Sequence, residues 1–178
     1  KEDGTLADGS ACGDETASDK EMFNQFMRRS LLYWAKEYHM DGFRFDLMAI
    51  HDVETMNQIR ADLNEAFPDK KILMYGEPWA ASTPAMPEGV YPSDKAHLDM
   101  LDGGIAIFSD DTRDAIKGSV FFAKEPGYVN GKPGMEEKIA NVFSAWCNSQ
   151  DVPKHTPSQI ISYVSVHDNY TSIVRRKL

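Results

Sequence analysis

Residues 41–46 read DGFRFD, and the alternation inside this hexamer decides what kind of sheet the chain builds. In an extended strand, successive side chains point to opposite faces. Phe43 and Phe45 therefore share one face, and Arg44 and Asp46 the other. A flat parallel sheet with helices on both sides asks for apolar groups on both faces. An arginine two residues before an aspartate instead fits the polar interior mouth of a closed barrel. Two further stretches end in the same way. YGEP at 75–78 places Glu77 on one face with Leu73 and Tyr75. VSVHDN at 164–169 places Asp168 with Val164 and Val166, while His167 begins the turn. An acid that ends a strand is held rigidly and points beyond the sheet, so Asp46, Glu77 and Asp168 read as a catalytic rim.

Working outward, residues 1–18 are rich in Gly, Asp, Ser and Ala and read as a surface loop. Ser18 or Asp19 is placed to cap a helix running to His39, with Phe23, Phe26, Met27, Leu31, Trp34, Ala35 and Tyr38 on one apolar stripe. The strand at 42–46 follows. Asp52 caps a helix over 53–67, stopped by Pro68, and 71–75 is the next strand. Four prolines at 78, 84, 87 and 92 make 76–99 a long loop, a class usually kept for function. A strand at 104–108 leads to a short helix capped by Ser109 or Asp110 and ending near Lys117. After a loop at 118–134, a helix covers 136–146, a strand 160–166, and a further helix starts beyond Asp168. Strands alternating with helices predict an α/β fold with a parallel sheet. In a parallel barrel the active site lies at the C-terminal strand ends, where all three acids fall.

The chain of 178 residues is 42% apolar, enough for one sizeable core. Its net charge of −9, with the cations dispersed, excludes nucleic acid as an expected ligand. Cys12 and Cys147 read as two free thiols with no paired metal spacing. No apolar run reaches the ~18 residues of a membrane span, and the polar opening stretch is not a signal peptide. Compartment is not fixed by the sequence.

Several carboxylates converging with Arg44 and His167 suit glycosidic cleavage. Splitting an acetal needs a proton for the leaving oxygen and negative charge opposite an oxocarbenium-like carbon, which two carboxyls supply. A neighbouring guanidinium favours the ionised carboxylate that a nucleophile requires, and apolar neighbours favour the protonated carboxyl of a general acid. Asp46 fits the first role and Glu77 the second, with Trp79 as a flat face for sugar stacking. Each has a plainer reading: a structural Arg44–Asp46 ion pair, Glu77 as a loop cap, Trp79 as core, His167–Asp168 as a hydrogen-bonded turn. Their joint occurrence on successive strand ends favours the site. Trp34 and Trp146, on helical stripes, read as core. A metal phosphohydrolase built on His39, His51–Asp52 and His167–Asp168 is the competing enzyme class. Asp99, Asp102, Asp110, Asp111 and Asp114 match no EF-hand spacing, and no metal or cofactor is expected.

At these motifs the chain resembles the alpha-amylase superfamily. DGFRFDLM is similar to that family's strand-four motif, YGEPW to its strand-five motif and SVHDN to its strand-seven motif. The forms look most like type I pullulanases, which hydrolyse α-1,6 links, and Cys12 to Asp19 resembles the loop before helix three. The resemblance implies that Asp46 is the nucleophile, Glu77 the general acid/base and Asp168 the third carboxylate. It further implies that Arg44 orients the nucleophile and that His167 bonds the sugar at the cleavage point. The implied substrate is an α-glucan of the pullulan, glycogen or starch type, cleaved with retention. An α-1,4-acting amylase or branching enzyme is the alternative within the family, and a non-catalytic glucan-binding segment the alternative outside it. The asparagine-histidine motif of the family's strand three is absent from the sequence, and strands one to three and eight are not represented. A full barrel takes roughly 250 residues. The expectation is therefore a partial (β/α)8 barrel. Residues 1–18 are its loop, and 19–178 run from helix three through strand seven to the start of the next helix. Such a piece is expected to be inactive alone and to self-associate through its sheet edges.

Overall fold

A computed structural model of the chain describes residues 1, 3–122 and 124–168. Four short strands form one parallel sheet in chain order: β1 (Gly42–Phe45), β2 (Leu73–Gly76), β3 (Ala106–Ser109) and β4 (Ile160–Ser162). Helix α1 (Glu21–Glu37) precedes β1, and α2 (Val53–Ala66) joins β1 to β2. The β2–β3 connection holds only a 3₁₀ segment, Lys95–Met100, while α3 (Asp110–Lys117) and α4 (Glu136–Phe143) join β3 to β4. No helix among the described residues is long and apolar enough to cross a membrane.

Register fixes which side chains face which way. Arg44 pairs with Tyr75, Tyr75 with Ala106, and Phe108 with Ile161. Paired residues in a parallel sheet share a face, so Arg44, Tyr75 and Phe108 line one side. Phe43, Phe45, Met74 and Ile107 line the other, where they meet Met56, Ile59 and Leu63 of α2 and Met27 and Ala35 of α1. One face is thus hydrocarbon core. The other carries an aromatic row, with Tyr75 and Phe108 rings 5.5 Å apart and Phe108 and Tyr163 rings 5.0 Å apart.

Asp52 caps α2 by accepting the Thr55 amide at 2.8 Å, and Ser109 caps α3 by accepting the Thr112 amide at 3.2 Å. Ser18 and Asp19 do not cap α1, whose N-cap is Lys20. Ser18 is taken up elsewhere: its hydroxyl donates to Asp52 Oδ2 at 2.5 Å and accepts the Asp52 amide at 2.9 Å. This buried pair ties the N-terminal loop to the start of α2.

Three further expectations need correction. The last strand stops at Ser162 rather than Val166, because β3, its neighbour, leaves the sheet at Ser109 to begin α3. No ladder partner on that side remains for residues 163–166. Helix α4 stops at Phe143 rather than Trp146, because Ala145 and Trp146 turn left-handed (φ 49° and 59°). That turn carries the Trp146 indole into the core, where Nε1 donates to Thr112 Oγ1 of α3 at 2.7 Å. Trp34, read as core, is 41% exposed and packs tilted against Tyr38 and edge-on against Tyr33 at the surface of α1. The stripe of α1 is wider than α2 alone can cover. The helix expected after Asp168 lies outside the described residues.

Candidate active site

The site begins where β1 and β2 end side by side. The Glu77 amide donates to Phe45 O at 3.0 Å, extending the ladder one residue and setting Glu77 beside Asp46. Gly76 permits this approach, since a Cβ there would sit 2.8 Å from both Met48 and Phe45 O. Leu47 then turns left-handed at φ 43°, a conformation costly for a branched residue. The turn aims the Leu47 amide at Glu77 Oε2, 2.8 Å away.

Arg44 completes the arrangement. Its guanidinium bonds Asp46 Oδ1 through Nη1 and Glu77 Oε1 through Nη2, the latter at 2.6 Å. Burial disfavours the charge on Arg44, but Asp46 and Glu77 outweigh it and hold the guanidinium above its ordinary range. Glu77 is 3% exposed, whereas the Asp46 side chain is 66% exposed. Two carboxylates joined by one cation therefore sit in different surroundings, one sealed and one open. The surroundings of Glu77 are not simply apolar, as its motif implied, because an amide and a guanidinium hold its two oxygens.

His167 Nε2 lies 3.8 Å from Asp46 Oδ1. One ligand-type atom each from Asp46, Glu77 and His167 falls within 4.8 Å of the others, the one metal-capable group among the described residues. A cation placed there would face the Arg44 guanidinium already bonded to both carboxylates, so the donor set is poorly suited to an ion. His39 and His51–Asp52 lie outside this group. Asp52 is engaged as the α2 cap, and the His51 ring packs edge-on against Phe45 with burial pushing its pKa down.

Glu77, Trp79 and Asp168 line one cleft of about 430 Å³, while Asp46, Arg44 and His167 stand outside its lining. Glu77 thus belongs to both groupings. Asp168 is exposed and sits past β4 in a loop, not on the strand tip that the alternation predicted. Trp79 is half-buried, and the Arg113 guanidinium lies 5.7 Å from its ring centroid. The cleft also takes Asp110, Arg113, Lys117 and Tyr163, none of them expected from the sequence as site residues. For Asp110 the signal was present: it is an acid at the first position after β3, the place that Asp46 and Glu77 take after β1 and β2. Nothing comparable marks Arg113, a helical residue turned inward.

No family model matches the chain. It is 35% identical to the pullulanase of Bacillus subtilis (strain 168) over 174 residues, 94% of this chain and 23% of that protein. Among solved structures, the apo pullulanase of Paenibacillus barengoltzii matches over 99% of this chain and 27% of its own, with TM-score 0.89 and 36% identity. The pullulanase of Anoxybacillus sp. LM18-11 complexed with maltotriose matches over 100% and 24%, with TM-score 0.87 and 32% identity. The chain therefore spans about a quarter of the length of these relatives.

Proposed function

Since this chain is a pullulanase-type segment, we propose that it carries the reacting groups of a retaining glycosidase cleaving α-1,6 branch links of an α-glucan. The observation behind the reading is the Arg44 bridge, with Asp46 and Glu77 oxygens within 4.8 Å of each other. Retaining glycosidases hold their carboxyls about 5–5.5 Å apart, whereas inverting ones leave about 6.5–9.5 Å for a water.

In this scheme Glu77 gives its proton to the bridging oxygen as the Asp46 carboxylate attacks the anomeric carbon. The glycosidic bond breaks, the leaving chain departs with the proton, and a glycosyl ester remains on Asp46. Glu77 then takes a proton from water, whose oxygen displaces Asp46 and restores the original configuration. Exposure of Asp46 gives the nucleophile access to the sugar. Two hydrogen bonds fix Glu77 in one orientation, as proton transfer requires. Asp168 and His167 bind sugar hydroxyls, Arg44 orients Asp46, and Trp79 stacks on a sugar ring.

The four strands are taken as strands four to seven of a (β/α)8 barrel, with residues 1–18 as loop and 19–178 as helix three onward. The short coverage of the relatives supports this, because the other wall of the cleft would come from sequence outside this segment. The isolated chain is then inactive. Incubation with pullulan should release no reducing ends; release that Asp46→Asn abolishes would contradict this. In the complete polypeptide, faster turnover of pullulan than of linear amylose is expected, and the reverse preference would overturn the α-1,6 assignment.

A further inference from the structure

From beside Glu77 into the cleft runs an alternation of cations and rings, of which the motifs marked only Arg44 and Trp79. Arg44 lies 5.7 Å from the Phe108 ring centroid, and Phe108 packs 5.0 Å from Tyr163. Arg113 lies 5.9 Å from Tyr163 and 5.7 Å from Trp79. A chain of ring and cation contacts therefore links the guanidinium that bridges the carboxylates to the Trp79 indole in the cleft. Arg113 is its best-anchored member. Its Nη1 donates to Tyr163 Oη at 3.0 Å and its Nε to Asp114 Oδ1 at 2.7 Å, and the residue is 8% exposed.

Trp79 has no such anchor on its own element. It follows Pro78 in the long β2–β3 loop, outside any helix or strand. A ring on a loop wall presents a defined face only if something packs on it. A guanidinium over an indole within about 6 Å is favourable and directional.

We propose that Arg113 is a positioning residue, which holds the Trp79 indole in place as the sugar-stacking wall of the cleft. The inference rests on the glucan-cleaving reading above and adds to it a residue that need not touch the reacting atoms. With Arg113 over one face of the ring, sugar uses the remainder of it. Because Arg113 acts on binding through Trp79, its loss should weaken substrate capture and leave bond cleavage almost intact. Tyr163, whose hydroxyl accepts from Arg113, anchors the guanidinium near both rings.

The test is steady-state kinetics on pullulan with the complete polypeptide, using Arg113→Leu, Arg113→Lys, Trp79→Ala and the Arg113→Leu/Trp79→Ala double variant. Arg113→Leu should raise KM about tenfold with kcat within about threefold, and Trp79→Ala should do the same. The double variant should be no worse than Trp79→Ala alone, because the two residues act as one unit. Arg113→Lys, which keeps a cation over the ring, should recover KM to within about threefold of wild type. Multiplying effects in the double variant would overturn the proposal. So would a fall in kcat at unchanged KM, the mark of a merely misfolded fraction, or a wild-type KM in Arg113→Leu. If Arg113→Leu does not fold, Arg113→Gln, which also removes the cation from the ring, carries the same cycle with Trp79→Ala. A wild-type polypeptide that neither binds maltotriose nor cleaves pullulan would remove the glucan reading itself, and this inference with it. An active wild type with indifferent Arg113 variants removes only the inference.

Discussion

Glu77 shows how far single side chains decide this site. Its two oxygens are held by Arg44 and by the Leu47 amide, and that amide points inward only because Leu47 adopts φ 43°. On the proposed acid/base reading, replacing Glu77 with Gln keeps the shape but removes the transferable proton. In the complete polypeptide, turnover of pullulan should fall about 10²–10⁴-fold with glucan affinity nearly unchanged. A loss of affinity without loss of turnover would reassign the residue to binding. His51 offers a separate test of the core beneath. Burial lowers its pKa from the ordinary 6.5, with Asp52 opposing. As pH drops, the unfolded chain takes the proton first, so the stability contributed by neutral His51 is full above about 6.5 and is lost towards the lower folded value. Urea unfolding at pH 8 and 5.5 should show His51→Phe losing less stability than wild type; equal losses would refute this. The adjacency of Asp46 and Glu77 was legible in the sequence, because strand alternation and one register step place them side by side. Arg113 was not, because helical position does not reveal which neighbour a long side chain reaches.

Among the elements, the first three strands were read best and the fourth worst. β1, β2 and β3 each fall within two residues of their expected ends, since apolar runs between turn signals mark strands well. β4 was overestimated because Val164 and Val166 have β propensity, yet β3 has already turned into α3 and offers no ladder there. Propensity yields to the absence of a pairing partner. The same limit explains Trp34: a periodic stripe predicts an apolar face, and says nothing of what covers it. The loop after α3 carries a sharper constraint. Gly118 sits at φ 94°, and a Cβ there would lie 2.3 Å from Glu125 O. Gly118→Ala should cost more than about 2 kcal/mol, through a strained backbone and a clash with main chain. Denaturant midpoints measure it, and a loss under about 0.5 kcal/mol would show that the loop is free to rearrange. At the other end, Asp52→Ala removes the α2 cap and strands the buried Ser18 hydroxyl. A cost of about 1–3 kcal/mol by the same measurement is expected.

At the scale of the molecule, the four-stranded sheet has two outer strands, β1 and β4, with no further partner among the described residues. Apolar rings also stand exposed, including Phe26 and Trp34 on α1, Tyr38 at its C-cap and Phe143 at the end of α4. Open edges and bare rings favour association. Light scattering should find the 178-residue chain forming higher species as concentration rises; a monomer at all concentrations would mean the edges are protected. The account as a whole rests on Asp46 and Glu77 acting as nucleophile and acid/base across the Arg44 bridge. Peptide mapping by mass spectrometry, after Glu77→Gln in the complete polypeptide is incubated with α-maltotriosyl fluoride, tests that most directly. Fluoride leaves without an acid, and the ester then persists for want of a base. A maltotriosyl adduct on the peptide containing Asp46 is the predicted result. An adduct on another residue, or none together with an inverted product, would contradict it.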